Sequence, residues 1–439
     1  MQASSSVNEE AATVKQFHAA HRLASPRSKE QLSGSHQERL ALLSALLSPD
    51  EAPALLGNFT ERAWSRQLQW LDTSGLALYL FGSLCDQGQE SLLPVSLQRR
   101  WEKNLQDNHR RMDQLAAEAL EIHRAFQSGG LRYATLKGFS LYPVSVPRME
   151  RRSQLDLDFL LAEDDANTAK DLLESQGYML RAVSGRSWEF KKGEDAAMTL
   201  RDLYKPRPYY SVELHLEYKA SKQQLLPRLR WQQFQKIEMP VLHPVDLFLG
   251  QGLHLFKHIC SEFFRVAHVY EFRRHVVSRA DDESFWHQLR ETAGDNARAS
   301  VGLGVAVALI THLTGPFAPP LFTAWTSDCL SPGVQRWIDT FAMRVTLGSH
   351  PGSKLYLLLQ PELAIRKVEL RRSVRQSLIP KGLPPHIASP RAEETFSQRA
   401  DRNFRQISFI IFRLCFHLVE GARYLYHARR FKSLTKRIS

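Results

Sequence analysis

The stretch Leu155-Asp156-Leu157-Asp158-Phe159-Leu160-Leu161 sets the tightest constraint on this chain. Its apolar run reads as a strand, and side chains on a strand alternate between faces. Asp156 and Asp158 then emerge together on one side, with Leu155, Leu157 and Phe159 on the other. Two carboxylates that close repel, and each raises the other's pKa unless a positive group lies between them. A divalent metal is a common remedy, and Mg²⁺ favours one or two carboxylates plus substrate phosphates. The pair therefore points to metal-assisted chemistry on a phosphorylated substrate. Acidic pairs also end many exposed strands, so the flanking segments decide.

Those segments alternate between helical and strand patterns. Residues 1–37 are polar and rich in Ser, Gln and Ala, and read as a disordered tail. Helical patterns fill 38–130. The clearest runs from about Leu97 to Gln127, with apolar positions Trp101, Leu105, Met112, Leu115, Ala119, Ile122 and Phe126, and ends at Gly129-Gly130. Strands follow in 131–220: Leu131–Leu136, the Asp156 segment, Tyr178–Val183, Trp188–Lys192, Ala197–Arg201 and Tyr210–Tyr218, with one helix over about Glu163–Gln176. Residues 221–378 read as helical, 379–400 as a Pro-rich linker, and 401–439 as a basic C-terminal helix. The fold class expected is α+β: a small mixed sheet inside a predominantly helical chain.

Composition narrows the setting. The four cysteines, Cys85, Cys260, Cys329 and Cys415, form no C-x-x-C, which argues against a zinc ribbon or a disulfide scaffold. The N-terminus lacks a basic start followed by an apolar stretch, and the nearly uncharged runs Ala299–Leu313 and Ile407–Val419 are shorter than the roughly 20 residues a bilayer requires. A cytoplasmic location is expected. The net charge is +12, and nine Lys or Arg against one Glu lie between Arg402 and Ser439. Such a tail suits weak contact with nucleic acid or the inner membrane face, or plain solubility. An amphipathic helix of this kind can also dock on the protein's own core, which is the arrangement expected here.

Three further pieces surround the carboxylate pair. Leu136-Lys137-Gly138 ends the first strand; glycine lets backbone approach a ligand, and lysine offers a point charge to phosphate. Arg152, four residues before Asp156, can pair with the acids or reach a phosphate. In Val212-Glu213-Leu214-His215-Leu216, Glu213 and His215 share one face. Should that strand lie beside the Asp156 strand, Glu213 becomes a third carboxylate. Three carboxylates with a lysine and a glycine describe a two-metal site for phosphoryl or nucleotidyl transfer.

Taken together, L-K-G, R-x-x-x-D-x-D-x-L and [DE]-x-H resemble the uncharacterised nucleotidyltransferase family of bacteria, a distant branch of the polymerase-beta-like superfamily. The resemblance covers roughly residues 95–280, including the helical part with His254, His258 and Tyr270-Glu271-Phe272. It implies that Asp156, Asp158 and Glu213 hold two Mg²⁺ and carry catalysis. It implies that Lys137, Gly138 and Arg152 bind an NTP, ATP among the candidates, whose nucleotidyl group passes to an unknown acceptor: a small molecule, protein or RNA. The sequence departs from the pattern in placing Phe139 after Gly138 where the superfamily has a second small residue, in using Glu213 as the third acid, and in carrying Glu271 where the family more often has Asp. The alternative is a catalytically inactive protein of the same fold, acting as a partner in a biosynthetic or surface-polysaccharide pathway.

Bland readings stand beside these. Lys137 can simply pair with Asp156 or Glu213 in an inactive fold, and Arg152 is expected to be an orienting ion-pair partner rather than a catalyst. His109 and His123 are expected to be packing or surface residues. His254 and His258, four apart on a helix, have zinc-binding spacing but lack H-E-x-x-H, so packing is expected. Lys191, Lys192, Lys205 and Arg207 could line an acceptor groove; a solvated loop is the expectation.

Overall fold

The computed structural model describes residues 33–193, 200–208, 210–221, 223–294, 296–349, 351–363, 374–379, 382 and 395–435. It is an α+β fold: one mixed sheet of seven strands in the order β3-β4-β5-β2-β1-β7-β6, embedded in helices. The strands are β1 (Tyr133–Leu136), β2 (Asp156–Ala162), β3 (Met179–Ser184), β4 (Ser187–Lys191), β5 (Ser211–Glu217), β6 (Leu229–Phe234) and β7 (Ile237–Leu242). β2 pairs parallel with β5, and β1 parallel with β7; the other pairings are antiparallel.

The long helix Val95–Ser128 sets the floor of the sheet. Its stripe of Trp101, Met112, Leu115, Ala119, Ile122 and Phe126 is buried. The chain reverses at Gly130, whose φ of 66° suits glycine, and leads straight into β1. Phe126 and His123 then meet Phe159 of β2 edge-on, each at 5.5 Å between ring centroids. Leu157, Phe159 and Leu161 thus point into this core, and the opposite face is left to Asp156 and Asp158. His123 is a packing residue, buried beside the Tyr133 hydroxyl at 2.9 Å.

The sheet departs from expectation in two places. It does not end at Tyr218: β6 and β7 form a hairpin that places Val241 beside Thr135 of β1. Two features hide this hairpin in the sequence. Its turn is Gln235-Lys236, without Asn-Gly or Asp-Gly, and Gln235 itself adopts φ 51°. Pro240 lies inside β7, where proline usually argues against a strand. Secondly, Leu200–Asp202 is a 3₁₀ turn, where a strand over Ala197–Arg201 was expected; residues 197–199 of that strand lie outside the described residues. The buried Arg111 guanidinium gathers the carbonyls of Asp202, Leu203 and Lys205, which holds this segment as a loop.

The ends of the chain also differ. A helix begins at Gly34, capped by the Ser33 hydroxyl; residues 1–32 of the expected tail lie outside the described residues, as does most of the Pro-rich linker. The last helix, Phe396–Thr435, docks only in part. The Glu420 carboxylate accepts from the Ser353 hydroxyl (2.8 Å) and the Lys354 amide (3.1 Å), and Phe431 is buried against Phe341. Ile407, Ile411, Leu414 and Leu418 stay exposed. Among the described residues no helix is long and apolar enough to cross a membrane.

Candidate functional site

Strand register assembles the site. Leu136 of β1 lies opposite Asp158 of β2, and Asp158 lies opposite Glu213 of β5. Parallel neighbours in register present side chains to the same face, so Glu213 joins the face of the aspartates. Lys137, one residue past β1, reaches back over it. Its Nζ donates to Asp158 Oδ1 at 2.6 Å and lies 3.7 Å from Glu213 Oε2. His215 Nε2 sits 3.0 Å from Asp158 Oδ1 and 3.5 Å from Glu213 Oε2. The Ser187 hydroxyl of β4 donates to the other Glu213 oxygen.

The electrostatics follow from this crowding. Burial, then the neighbouring Asp158, pushes the Asp156 carboxyl up. The hydrogen bond from His215, helped by Ser187 and Lys137, holds Glu213 well below the usual carboxylate range despite burial. Burial works against the charges of Lys137 and His215, but the carboxylates outweigh it and raise both. Lysine and histidine thus supply the counter-charge that a metal ion could supply.

The donor chemistry fits a divalent cation. One atom from each of Asp158, Glu213 and His215 lies within 4.8 Å of the others. Asp156 stands outside that trio, at the head of β2 opposite Ser211. The sequence reading placed Asp156, Asp158 and Glu213 together, with His215 on the face of Glu213; in the structure His215 is an equal member of the cluster with Asp158 and Glu213.

Lys137 and Gly138 have unusual backbones. Lys137 adopts φ 48°, sparsely populated for a residue with a Cβ, and Gly138 adopts φ 37°. A Cβ on Gly138 would sit 2.2 Å from the side-chain nitrogen of Gln154. That amide donates to the Asp156 carbonyl at 2.8 Å, so glycine here lets Gln154 tie the loop to the head of β2. Arg152 bonds neither aspartate carboxylate. Its Nε donates to Glu271 Oε1 at 3.0 Å, and a second nitrogen donates to the Gln154 side-chain oxygen at 3.2 Å. Glu271, buried, also accepts from the Tyr79 hydroxyl at 2.9 Å. Arg152, Gln154 and Glu271 therefore form a support beneath the carboxylates.

A cavity of about 370 Å³ opens beside the cluster. Lys137, Arg152 and His215 line it together with His254, Lys257, His268 and Arg298. The exposed Lys257 and Arg298 give it a positive margin. Sequence reasoning did not find His268, Lys257, Arg298, Gln154 or Ser187, since none carries a local motif. The basic loop residues stand apart from the cavity: Lys192 pairs with Glu118 at 3.0 Å and Lys205 with Asp202 at 2.9 Å.

The model of the uncharacterised nucleotidyltransferase family matches residues 60–315, more than half of the chain. The chain belongs to that family. The matched span holds every site residue above, from Tyr79 to Arg298, and the whole seven-stranded sheet. Membership of the nucleotidyltransferase family assigns the chain to that transferase class, with an NTP and a divalent metal as the implied reactants. A search of the curated proteins gave no match.

Proposed function

We propose that this nucleotidyltransferase moves a nucleotidyl group from an NTP to an acceptor hydroxyl, with Mg²⁺ held by Asp156, Asp158 and Glu213. The observation that carries the proposal is the in-register pairing of Asp158 with Glu213, both within reach of Lys137. Bound Mg²⁺ would stabilise the attacking and leaving oxygens. Lys137, freed from Asp158 by the cation, would turn to the triphosphate. The margin of Lys257 and Arg298 on the same cavity suits the same polyanion. Asp156, whose burial raises its pKa, is the carboxylate best suited to take the acceptor's proton.

A second reading has one observation in its favour. Lys137 and His215 already satisfy Asp158, as they would in an inactive fold that binds a partner. One experiment separates the two. The full chain is incubated with Mg²⁺ and α-labelled NTPs in cell extract, beside an Asp156→Asn/Asp158→Asn variant. Labelled product from wild type only, with nucleotide and Mg²⁺ raising its melting temperature, supports transfer. Equal labelling by both chains, or no shift at millimolar NTP, removes the proposal.

A further inference from the structure

His254 and His258 lie four residues apart on the helix Pro244–Ile259, and His268 stands near the start of the next helix, Ala267–Val277. The fold brings all three rings together. Their centroids are 4.5 Å (His254–His258), 5.1 Å (His254–His268) and 4.9 Å (His258–His268) apart. One ring nitrogen from each lies within 4.8 Å of the others. The Nε2 atoms of His254 and His258 are 3.1 Å apart. Tetrahedral zinc, with Zn–N bonds of about 2.0–2.1 Å, sets its nitrogens roughly 3.3 Å from one another. The pair is therefore already near the spacing a shared ion would impose.

The tautomers and surroundings match the same use. His258 Nδ1 lies 2.8 Å from the Phe263 carbonyl, which can only accept, so that nitrogen carries the proton and Nε2 keeps its lone pair. Glu271 Oε2 lies 3.7 Å from His268 Nδ1, the position of the outer carboxylate that orients many metal-bound histidines. Burial lowers the basicity of all three, helped by neighbouring rings at His254 and His258 and by Arg265 and Arg152 at His268, against the pull of Glu271. With no ion the His254–His258 contact is a hydrogen bond between the two Nε2 atoms, and an ion would take the place of the proton they share.

We infer that His254, His258 and His268 form a second metal site, for a divalent transition ion of the zinc class. Imidazoles select such ions, whereas the oxygen-rich carboxylate cluster suits Mg²⁺. Three protein ligands leave a fourth position open. Because His254 and His268 line the cavity that Lys137 and His215 also line, that position is available to water or to an oxygen of a molecule held there. The site is independent of the transfer reaction proposed above and stands or falls separately from it.

The test uses the full chain, stripped with chelator and held in excess Mg²⁺ so that oxygen-donor sites stay occupied. It is titrated with Co²⁺, followed by its visible absorption, and then with Zn²⁺. The expected result is one Co²⁺ per chain with an intense low-symmetry spectrum, displaced by Zn²⁺. His258→Ala and His268→Gln should each weaken binding by at least about a hundredfold, beyond what loss of a merely supporting partner costs. Asp158→Asn should leave the spectrum intact. Melting curves in chelator confirm that each variant is folded, and His254→Gln replaces any that is not. Absence of stoichiometric Co²⁺ binding overturns the inference. So does binding that survives the histidine substitutions, or that is lost with Asp158→Asn, which would place the ion on the carboxylate cluster.

Discussion

Lys137 does two jobs that pull in opposite directions. Its ammonium bonds Asp158 at 2.6 Å and neutralises a cluster that would otherwise repel itself, yet the same charge competes with any cation for those oxygens. Its φ of 48° is a cost of order 1–3 kcal/mol, a strain that persists only where the surrounding structure enforces it. Lys137→Met keeps the length and removes the charge. The cluster should then bind Mn²⁺ or Mg²⁺ several-fold more tightly, because the competing ammonium is gone. Nucleotidyl transfer should fall by at least about a hundredfold, the scale of losing one electrostatic contact to the transition state. Calorimetric titration with Mn²⁺ beside the labelling assay checks both directions. Weaker metal binding in the variant would show that lysine holds the carboxylates in place rather than guarding them. Asp156, Asp158, Glu213 and His215 were visible as strand residues because alternation fixes which side chains share a face. The Arg152–Glu271 pair was not, since nothing local links residues so far apart along the chain.

At the scale of elements, the β6–β7 hairpin is what the sequence hid and what the site leans on. Phe234 at the end of β6 stacks on Phe139 at 4.7 Å between centroids, and Phe139 follows Lys137-Gly138 directly. The large residue that departs from the superfamily's small one is thereby explained: it anchors the lysine loop to the hairpin. Tyr142 adds an edge-on contact with the same ring at 5.2 Å. Phe234→Ala should cost about 3–5 kcal/mol through the cavity it leaves. It should also loosen the lysine loop, so activity drops further than the loss of folded protein explains. Urea midpoints give the first quantity, and turnover per folded molecule the second; unchanged turnover would cut the proposed link. The long helix and the Asp156 strand were legible because each buries one apolar face, Phe126 of the helix meeting Phe159 of β2. The hairpin was not, because its turn lacks glycine and its second strand carries Pro240. Likewise the last helix displays an apolar stripe in sequence, but where it docks depends on Glu420 meeting the Ser353–Lys354 segment.

For the whole molecule, buried neutral histidines make acid the natural denaturant. Burial lowers His123 and His258 to about 4, His275 to about 3 and His254 to about 2, against 6.5 for a free side chain. Each stays neutral in the folded state while the unfolded chain takes up a proton below pH 6.5. Their stabilising effect is therefore complete above pH 6.5 and is lost as pH falls toward the folded values. His123 alone accounts for roughly 3 kcal/mol across that window, at about 1.4 kcal/mol per pH unit. His215 works in the reverse sense: its raised pKa stabilises below 6.5 and fades as pH rises through the folded value. Glu271, held near 2 mainly by Arg152 against its own burial, adds an acid loss only below 4.5. Four histidines outweigh one, so the urea midpoint should begin to fall just below pH 6.5, before the carboxylates titrate, and keep falling toward pH 4. His123→Phe should flatten that slope by one proton while lowering stability at pH 7, where its bond to Tyr133 is lost. A midpoint that holds level down to pH 4.5 would mean that these rings are solvated or already charged, and would undercut the neutral imidazole cluster at the cavity wall as well.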